Sequence, residues 1–175
     1  EVPDSDLVDT RIGSGSDHTV FLNYAGVPTV GLQFDGPYGV YHSMYDNFYW
    51  MNKFGDPGYR YHTLCAQLWG VLALRLANAD VLPFDFAFYG ANIRQFVSAV
   101  RRSNGAARRL DFANLVNRVA EFETAGRLFN QQVDLALNSS SRVIEGKSKL
   151  DHQIMQVEQN WLHPEGIPGR PWFKH

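Results

Sequence analysis

The sequence is poor in cysteine, in net charge and in long apolar runs, and each of these absences removes a class of protein. Its single cysteine, Cys65, among 175 residues excludes an internal disulfide framework and a cysteine-rich zinc module. The formal net charge of −2 gives no overall attraction to nucleic acid or to an anionic membrane. No apolar run reaches the length that a membrane-spanning helix requires. We therefore expect no nucleic-acid partner and no membrane segment in this chain.

The composition is that of a folded domain rich in aromatic residues. Hydrophobic residues make up 45% of the chain and charged residues 19%, which is typical of a globular protein. Aromatic residues reach 14%, which predicts bulky cores or interfaces. One basic cluster, formed by Arg101, Arg102, Arg108 and Arg109, flanks a predicted loop. We interpret this cluster as a solvated helix end.

Residues 13–17 form a glycine-containing loop ahead of a predicted short helix. Ser16 or Asp17 can cap this helix, and Gly26 is a typical stop. The loop has neither the spacing of a dinucleotide fingerprint nor the Lys-Ser/Thr ending of a phosphate loop, so its signal for anion binding is weak. Residues 28–34 follow as a predicted short, buried strand. A helix followed by a buried strand and a polar loop is typical of the edge of an α/β sheet.

Residues 38–46, just past the predicted strand, contain the most chemically distinctive stretch of the chain. His42 lies there among aromatic residues, with Asp46 close behind. A neutral imidazole in a mostly apolar pocket is a good zinc ligand, and ligands of open α/β sheets bind beyond the carboxyl ends of the strands. A catalytic zinc needs about three protein ligands, however, and the spacing of residues in the sequence identifies only one candidate, His42. His42 is therefore either a metal ligand or a hydrogen-bonded histidine at a helix start.

The chain becomes helical after the breaker at residues 55–58. The expected helices cover residues 59–79, 85–103, 111–137 and 148–163. Their apolar residues recur at spacings of three and four, and Asp85 and Asp111 are suitable caps. Trp69 and Leu74 widen the apolar stripe of the first helix, so we expect that helix to be buried on most sides. Four amphipathic helices with short loops predict a bundle, followed by an irregular tail.

Six short motifs, each weak alone, occur along the chain in a fixed order. They are Gly13-Ser14-Gly15-Ser16-Asp17, Tyr41-His42-Ser43-Met44-Tyr45-Asp46, Lys53-Phe54-Gly55-Asp56-Pro57, Leu76-Ala77-Asn78, Val81-Leu82-Pro83-Phe84-Asp85 and the tail from Pro164 to His175. This series resembles the glutamate carboxypeptidase II and transferrin receptor family, and the resemblance covers essentially the whole chain.

The resemblance implies a mainly α chain with two parts. Residues 1–58 would be the C-terminal piece of a zinc peptidase domain, a short α/β remnant, and residues 59–175 would be a helical dimerisation domain. The sequence begins at Glu1 without an initiator methionine, so we expect a piece of a longer protein. Full-length members of the family are dizinc exopeptidases, and the parent protein is expected to be a zinc metallopeptidase. Its compartment stays open among secreted, periplasmic and membrane-anchored.

The resemblance also implies roles for individual residues. His42 matches the terminal histidine ligand of one zinc, and Tyr41 matches a residue that lines the substrate site. Ser14, Gly15 and Ser16 match the loop that touches substrate. The other zinc ligands and the catalytic glutamate lie upstream in the family, so this chain carries no complete catalytic set. Two zinc ions are expected in the parent protein, and none is expected to bind stably to this chain alone.

Two functions therefore remain open. The chain is either a dimerisation fragment that forms a homodimer and is not catalytically competent alone, or part of an active aminopeptidase or carboxypeptidase site that upstream residues complete. The parent would take a peptide substrate. Residues 30–34 lack the arginine with which glutamate carboxypeptidase II favours acidic substrates, so the substrate class stays open.

Overall fold

The computed structural model describes residues 15–34, 36–103, 110–139 and 146–175, and these residues are mainly helical. The helices are α1 (His18–Ala25), α2 (Phe48–Trp50), a π-helical turn (Met51–Gly55), α3 (Arg60–Ala77), α4 (Phe86–Arg102), α5 (Ala113–Leu137) and α6 (Lys147–Gln159). The expectation of a mainly α chain is confirmed. In the described ranges no helix is both long enough and apolar enough to cross a membrane.

The strand predicted over residues 28–34 does not form in the described part of the chain. These residues are irregular, and Val30 and Phe34 leave 46% and 45% of their surface exposed. A strand is stable only when its N–H and C=O groups pair with a neighbouring strand. The described residues supply no such neighbour, and their one β-type pairing is an isolated bridge between Ile167 and Arg170.

Helices α4 and α5 pack as an antiparallel pair at very short range, because two glycines face the partner backbone. A Cβ atom on Gly126 would lie 2.5 Å from the backbone nitrogen of Ala87. A Cβ atom on Gly90 would lie 2.8 Å from the Cα of Glu123. Because real Cβ atoms do not approach other atoms this closely, only glycine permits the observed separation.

The predicted ends of the helices are largely confirmed. Asp85 Oδ1 accepts a hydrogen bond from the backbone N–H of Phe88 at 2.9 Å, as expected of a cap. The prediction of Asp111 as the cap of α5 is wrong: the cap position is Phe112, without a side-chain capping hydrogen bond, although Asp111 accepts from the N–H of Ala113 at 2.8 Å. Helix α6 ends at Gln159, earlier than predicted. In the last turn of α4, Arg101 and Arg102 are exposed, as expected of a solvated helix end; Arg108 and Arg109 lie outside the described residues.

An aromatic cluster joins α6 to the α4–α5 pair. Trp161, just after α6, lies edge-on to Tyr89 of α4 and Phe122 of α5, with ring centroids 6.0 and 5.4 Å away. A second link is polar, since the N–H of Leu82 donates to Asp151 Oδ1 at 3.1 Å. The buried apolar residues of the described chain lie in or beside these helices; they are Val81, Val119 and Ile154. The core is therefore located between α4, α5 and α6.

The C-terminal tail folds back onto α1. The backbone carbonyl of Asn23 accepts hydrogen bonds from the N–H groups of Lys174 and His175, at 2.7 and 3.1 Å. The ammonium group of Lys174 lies 4.2 Å from the centre of the Tyr24 ring. Gly26 ends α1 with φ of 61°, and a Cβ atom there would lie only 3.0 Å from the Cα of Gln159 in α6. Helix α1 is therefore attached to the helical core through the tail and α6.

Helix α3 stands apart from this core, and the expectation that it is buried on most sides is wrong. None of its residues is buried, Leu74 is 65% exposed, and Cys65 is only half-buried. Within the described ranges, no hydrogen bond, ion pair or ring contact joins α3 to α4, α5 or α6. The periodicity of α3 correctly predicted a helix, but the surface that would cover its apolar side is not among the described residues.

Candidate functional site

The segment that carries His42 is a succession of tight turns. His42 has φ of 62°, in the left-handed region that non-glycine residues seldom adopt. The turn is closed by Ser43, whose Oγ donates to the carbonyl of Val40 at 2.6 Å and accepts from the N–H of Tyr45 at 3.2 Å. These hydrogen bonds hold the backbone of His42 in a conformation that costs energy, and such conformations are concentrated at functional sites.

The imidazole of His42 is exposed and stacks on the ring of Tyr41. The ring centroids are 3.9 Å apart and the planes are inclined by 21°. The apolar pocket expected around His42 is not formed by the described residues, because both side chains are exposed. His42 is not the cap of the next helix either, since Asn47 Oδ1 accepts from the N–H of Trp50 at 3.0 Å and caps α2. The ring is therefore accessible to an external ligand.

The residues present do not fit a catalytic zinc by themselves. Among the described residues, no group of three or more His, Cys, Asp or Glu side chains is placed to hold a metal ion. A catalytic zinc requires about three protein ligands. His42 can supply one of them, and the rest would have to come from outside the described residues.

The loop before α1 is described from Gly15 onward, and Ser14 lies outside the described residues. Gly15 has φ of 110° and donates its N–H to Thr19 Oγ1 at 3.1 Å. Ser16 is exposed, and its carbonyl accepts from the N–H of Thr19 at 3.0 Å. Asp17 occupies the cap position of α1 but makes no capping hydrogen bond with its side chain. The described residues show no hydrogen bond or ring contact between this loop and the His42 turn.

An ion pair between the buried carboxylate of Asp56 and the exposed imidazole of His62 was not predicted from the sequence. Asp56 is only 5% exposed, and its Oδ2 lies 2.7 Å from His62 Nδ1 and accepts from the His62 N–H at 3.0 Å. Burial opposes ionisation of Asp56, but the hydrogen bonds from the side chain and backbone of His62 hold its pKa below the usual 3.8. An acidic residue ahead of a helix start was the available signal. The pair fixes the start of α3 against the π-helical turn.

Three polar side chains, also not predicted from the sequence, join the tail to the core. Glu158 Oε1 lies 2.5 Å from His175 Nε2 and accepts from the hydroxyl of Tyr89 at 3.3 Å. Burial raises the pKa of Tyr89 above its usual value, and the negative charge of Glu158 raises it further. The phenol is therefore held in its neutral, hydrogen-bond-donating form.

Comparison with known proteins places these features in context. Residues 110–175 match the family described as the transferrin receptor-like dimerisation domain. Over 172 residues the chain is 32% identical to the protein named "Probable glutamate carboxypeptidase LAMP1" of Arabidopsis thaliana, covering 98% of this chain and 24% of that relative. It is 27% identical over 175 residues to "Aminopeptidase NAALADL1" of Rattus norvegicus, covering 94% of this chain and 23% of that relative.

A further similar protein is named as inactive. The chain is 26% identical over 175 residues to "Inactive zinc metalloprotease C354.09c" of Schizosaccharomyces pombe, covering 91% of this chain and 22% of that relative. The chain thus spans about a quarter of the length of the curated relatives it matches. These relatives include proteins named as peptidases and one named as inactive, so similarity alone does not assign an activity.

Proposed function

Since the chain belongs to the glutamate carboxypeptidase and transferrin receptor family, we propose that it is the C-terminal dimerisation part of a larger zinc exopeptidase. In this proposal the helical core associates with a second copy of itself as a homodimer. In this proposal the chain alone is not catalytically competent, because among its described residues only His42 is a candidate ligand for a zinc site that needs about three.

The observation that carries this proposal is the outward face of α5. The inner side of α5 packs on α4 through Gly126, whereas Leu128 and Leu135 point away from α4 and lie two turns apart. They are 57% and 66% exposed, although leucine is among the residues that burial favours most. Both fall within residues 110–175, the segment that matches the dimerisation domain. In a two-fold dimer the same patch on each copy would cover the other.

The test is the solution mass, measured by sedimentation equilibrium over a concentration series. We expect the chain to dimerise and the double variant Leu128→Glu/Leu135→Glu to dissociate. Burial of a leucine is worth about 1.5–3 kcal/mol, so the dimer should weaken by at least about tenfold. The matched control Gln153→Glu/Gln156→Glu adds the same charge at exposed positions of α6 and should dimerise normally. The proposal is contradicted if the unsubstituted chain is a monomer, or if the leucine substitutions do not weaken its dimer.

A second candidate function is favoured by the exposed, strained turn at His42. Here His42 supplies one ligand to a zinc ion of the complete enzyme, and Tyr41, Ser14, Gly15 and Ser16 contact the peptide substrate. Its support is the accessible imidazole, held in place by the Ser43 hydrogen bonds. This function describes the full-length protein and is compatible with dimerisation.

His42→Ala in the full-length protein tests the second candidate. We expect the variant to lose bound zinc, measured by elemental analysis, and to lose peptide hydrolysis. The control His152→Ala removes an exposed histidine of α6 and should leave both properties unchanged. Full zinc content and full turnover in His42→Ala would refute the role of His42 as a ligand.

A further inference from the structure

Helix α1 depends on the rest of the chain for its position, because it is short and exposed. It spans 8 residues, His18–Ala25, and isolated helices of fewer than about 12 residues are marginal in water. The side chains of Val20, Phe21 and Tyr24 are exposed, and Asn23 is the one buried residue of the helix. The contacts at Asn23 and beyond the end of the helix therefore fix where α1 lies.

Lys174 and His175, which we call the tail clamp, hold α1 against the end of α6. The backbone N–H groups of both residues donate to the carbonyl of Asn23, at 2.7 and 3.1 Å. The clamp is itself fixed to α6. The carbonyl of Lys174 accepts from the N–H of His163, just beyond that helix, at 2.6 Å. His175 Nε2 lies 2.5 Å from Glu158 Oε1, and the two side chains leave only 22% and 12% of their surface exposed.

Gly26 gives a second, direct contact between α1 and α6. It ends α1 in the left-handed conformation, with φ of 61°. A Cβ atom there would lie 3.0 Å from the Cα of Gln159 and 3.1 Å from Cδ1 of Leu162. Only glycine therefore permits this approach of the two backbones without displacing one of them. The C-terminal end of α1 is thus held both by the tail clamp and by α6.

The opposite end of α1 is joined to the loop that contains Gly15 and Ser16. The N–H of Gly15 donates to Thr19 Oγ1 at 3.1 Å, and the carbonyl of Ser16 accepts from the N–H of Thr19 at 3.0 Å. In the described ranges the hydrogen bonds of Gly15 and Ser16 all go to α1. A helix of this length spans about 12 Å, so a tilt of about 10° around its C-terminal end would move the loop by about 2 Å.

We propose that the tail clamp and Gly26 are positioning residues for the substrate. They contact α1 and not the peptide, and through α1 they set the place of Gly15 and Ser16. The inference rests on the second candidate function, in which Gly15 and Ser16 contact the peptide, and it adds the residues that hold this loop in place. An interaction made equally with the bound peptide and with the transition state affects KM and leaves kcat unchanged. Loosening α1 should therefore raise KM.

Gly26→Ala in the full-length protein tests the contact between α1 and α6. The added Cβ meets the backbone of Gln159, so α1 must move away from α6. Gly146→Ala is the matched control, because it adds the same atom at a similar φ of 76° but meets nothing within 4 Å. We expect Gly26→Ala to raise KM by about fivefold or more with kcat within about twofold, and Gly146→Ala to change neither. Zinc content should be unchanged in both variants. The probe is the dipeptide that the unsubstituted enzyme cleaves fastest in a set pairing alanine with each amino acid in both orders.

His175 gives an independent test with a conservative rescue. His175→Ala removes the side chain that contacts Glu158, whereas His175→Gln keeps a side-chain N–H donor. In the full-length protein we expect His175→Ala to raise KM as Gly26→Ala does, and His175→Gln to restore most of the loss. Amide hydrogen exchange over residues 15–25 should quicken by about tenfold in His175→Ala and Gly26→Ala, but not in Gly146→Ala. Unchanged exchange in both loosened variants would overturn the inference.

The enzyme assay separates failure of this inference from failure of the function on which it rests. An unsubstituted full-length protein that cleaves no dipeptide of the set would refute the second candidate function, and the inference with it. Normal cleavage with an unchanged KM in both Gly26→Ala and His175→Ala would overturn the inference alone. A fall in kcat with KM unchanged would also overturn it, because that result assigns these residues to the chemical step and not to placement of the loop.

Discussion

The backbone carbonyl of Asn23, in α1, accepts the N–H of Lys174, in the C-terminal tail. This hydrogen bond joins two segments from opposite ends of the sequence. Asn23 is itself buried, with 8% of its surface exposed, and its side-chain Nδ2 has no hydrogen-bond partner in the described residues. The loop with Gly15 and Ser16, which leads into α1, is consequently positioned by the tail as well as by its own turn.

Lys174→Ala should weaken this attachment. The substitution removes the ammonium group that lies 4.2 Å from the Tyr24 ring centre but leaves the backbone hydrogen bond. We expect the free energy of unfolding, measured with urea, to fall by about 0.5–1 kcal/mol, the value of an exposed cation–π contact. Lys149→Ala, at an exposed position of α6, is the control and should have a smaller effect. Equal effects of the two variants would show that the ring contact contributes nothing.

Alanine should have opposite effects at two helical glycines. Gly126→Ala places a Cβ 2.5 Å from the Ala87 nitrogen, so α4 and α5 must separate. We expect it to destabilise the chain by about 1–3 kcal/mol, as overpacking does. Gly70→Ala in α3 meets no atom within 4 Å and should stabilise the chain by about 0.5–1 kcal/mol through helix propensity. Urea unfolding measures both, and a stable Gly126→Ala would show that the close helix approach is not required.

Asp56→Asn should change how stability depends on acid pH. The pKa of Asp56 is lowered on folding, so its stabilising contribution is complete above the usual value of 3.8 and is lost as pH falls through the lower folded value. The difference in Tm between the unsubstituted chain and Asp56→Asn should therefore narrow below about pH 4. Asp80→Asn, at an exposed position, is the control. A Tm difference that stays constant through this range would argue against a stabilising Asp56–His62 pair.

Tyr89→Phe should act at alkaline pH. The raised pKa of Tyr89 means that the unfolded chain loses this proton first, so the contribution is complete below the usual value of 10.0 and declines above it. At neutral pH the variant lacks the hydrogen bond to Glu158, worth about 0.5–1.5 kcal/mol. We expect this deficit, measured by urea unfolding, to shrink above about pH 10. Tyr45→Phe, at an exposed tyrosine, should show no such trend.

Helices α4 and α5 were predictable from local sequence because the apolar spacing and, for α4, the capping residue lie within or directly beside each helix. Asp85 caps α4 as its position indicated, and the apolar periodicity of α5 matches the side that packs on α4. The strand over 28–34 and the burial of α3 were predicted wrongly for the described chain because both depend on a partner. A pattern of apolar residues shows which side of an element is suited to burial, but it does not show whether another part of the chain covers that side.

The candidate site was less predictable than the fold. The sequence identified His42 by its neighbours, but no spacing rule indicated the left-handed turn that the Ser43 hydrogen bonds stabilise. The Asp56–His62 pair was missed because it depends on the turn at Tyr59, which also has a positive φ, of 56°. The link between Glu158 and Tyr89 joins residues far apart in sequence, so no local pattern could indicate it.

The attachment of α1 to the tail also bears on the order in which the molecule folds. The paired residues of α4 and α5 are near in sequence, whereas Asn23 and Lys174 enclose a loop of about 150 residues, whose closure costs about 4 kcal/mol or more in chain entropy. Pairings between near neighbours in sequence form early and distant ones late. During synthesis α1 emerges before the other described helices, yet it gains its partners only when α6 and the tail have been made. Docking of the tail is therefore expected to be the last step of folding and the first to be reversed in partial unfolding.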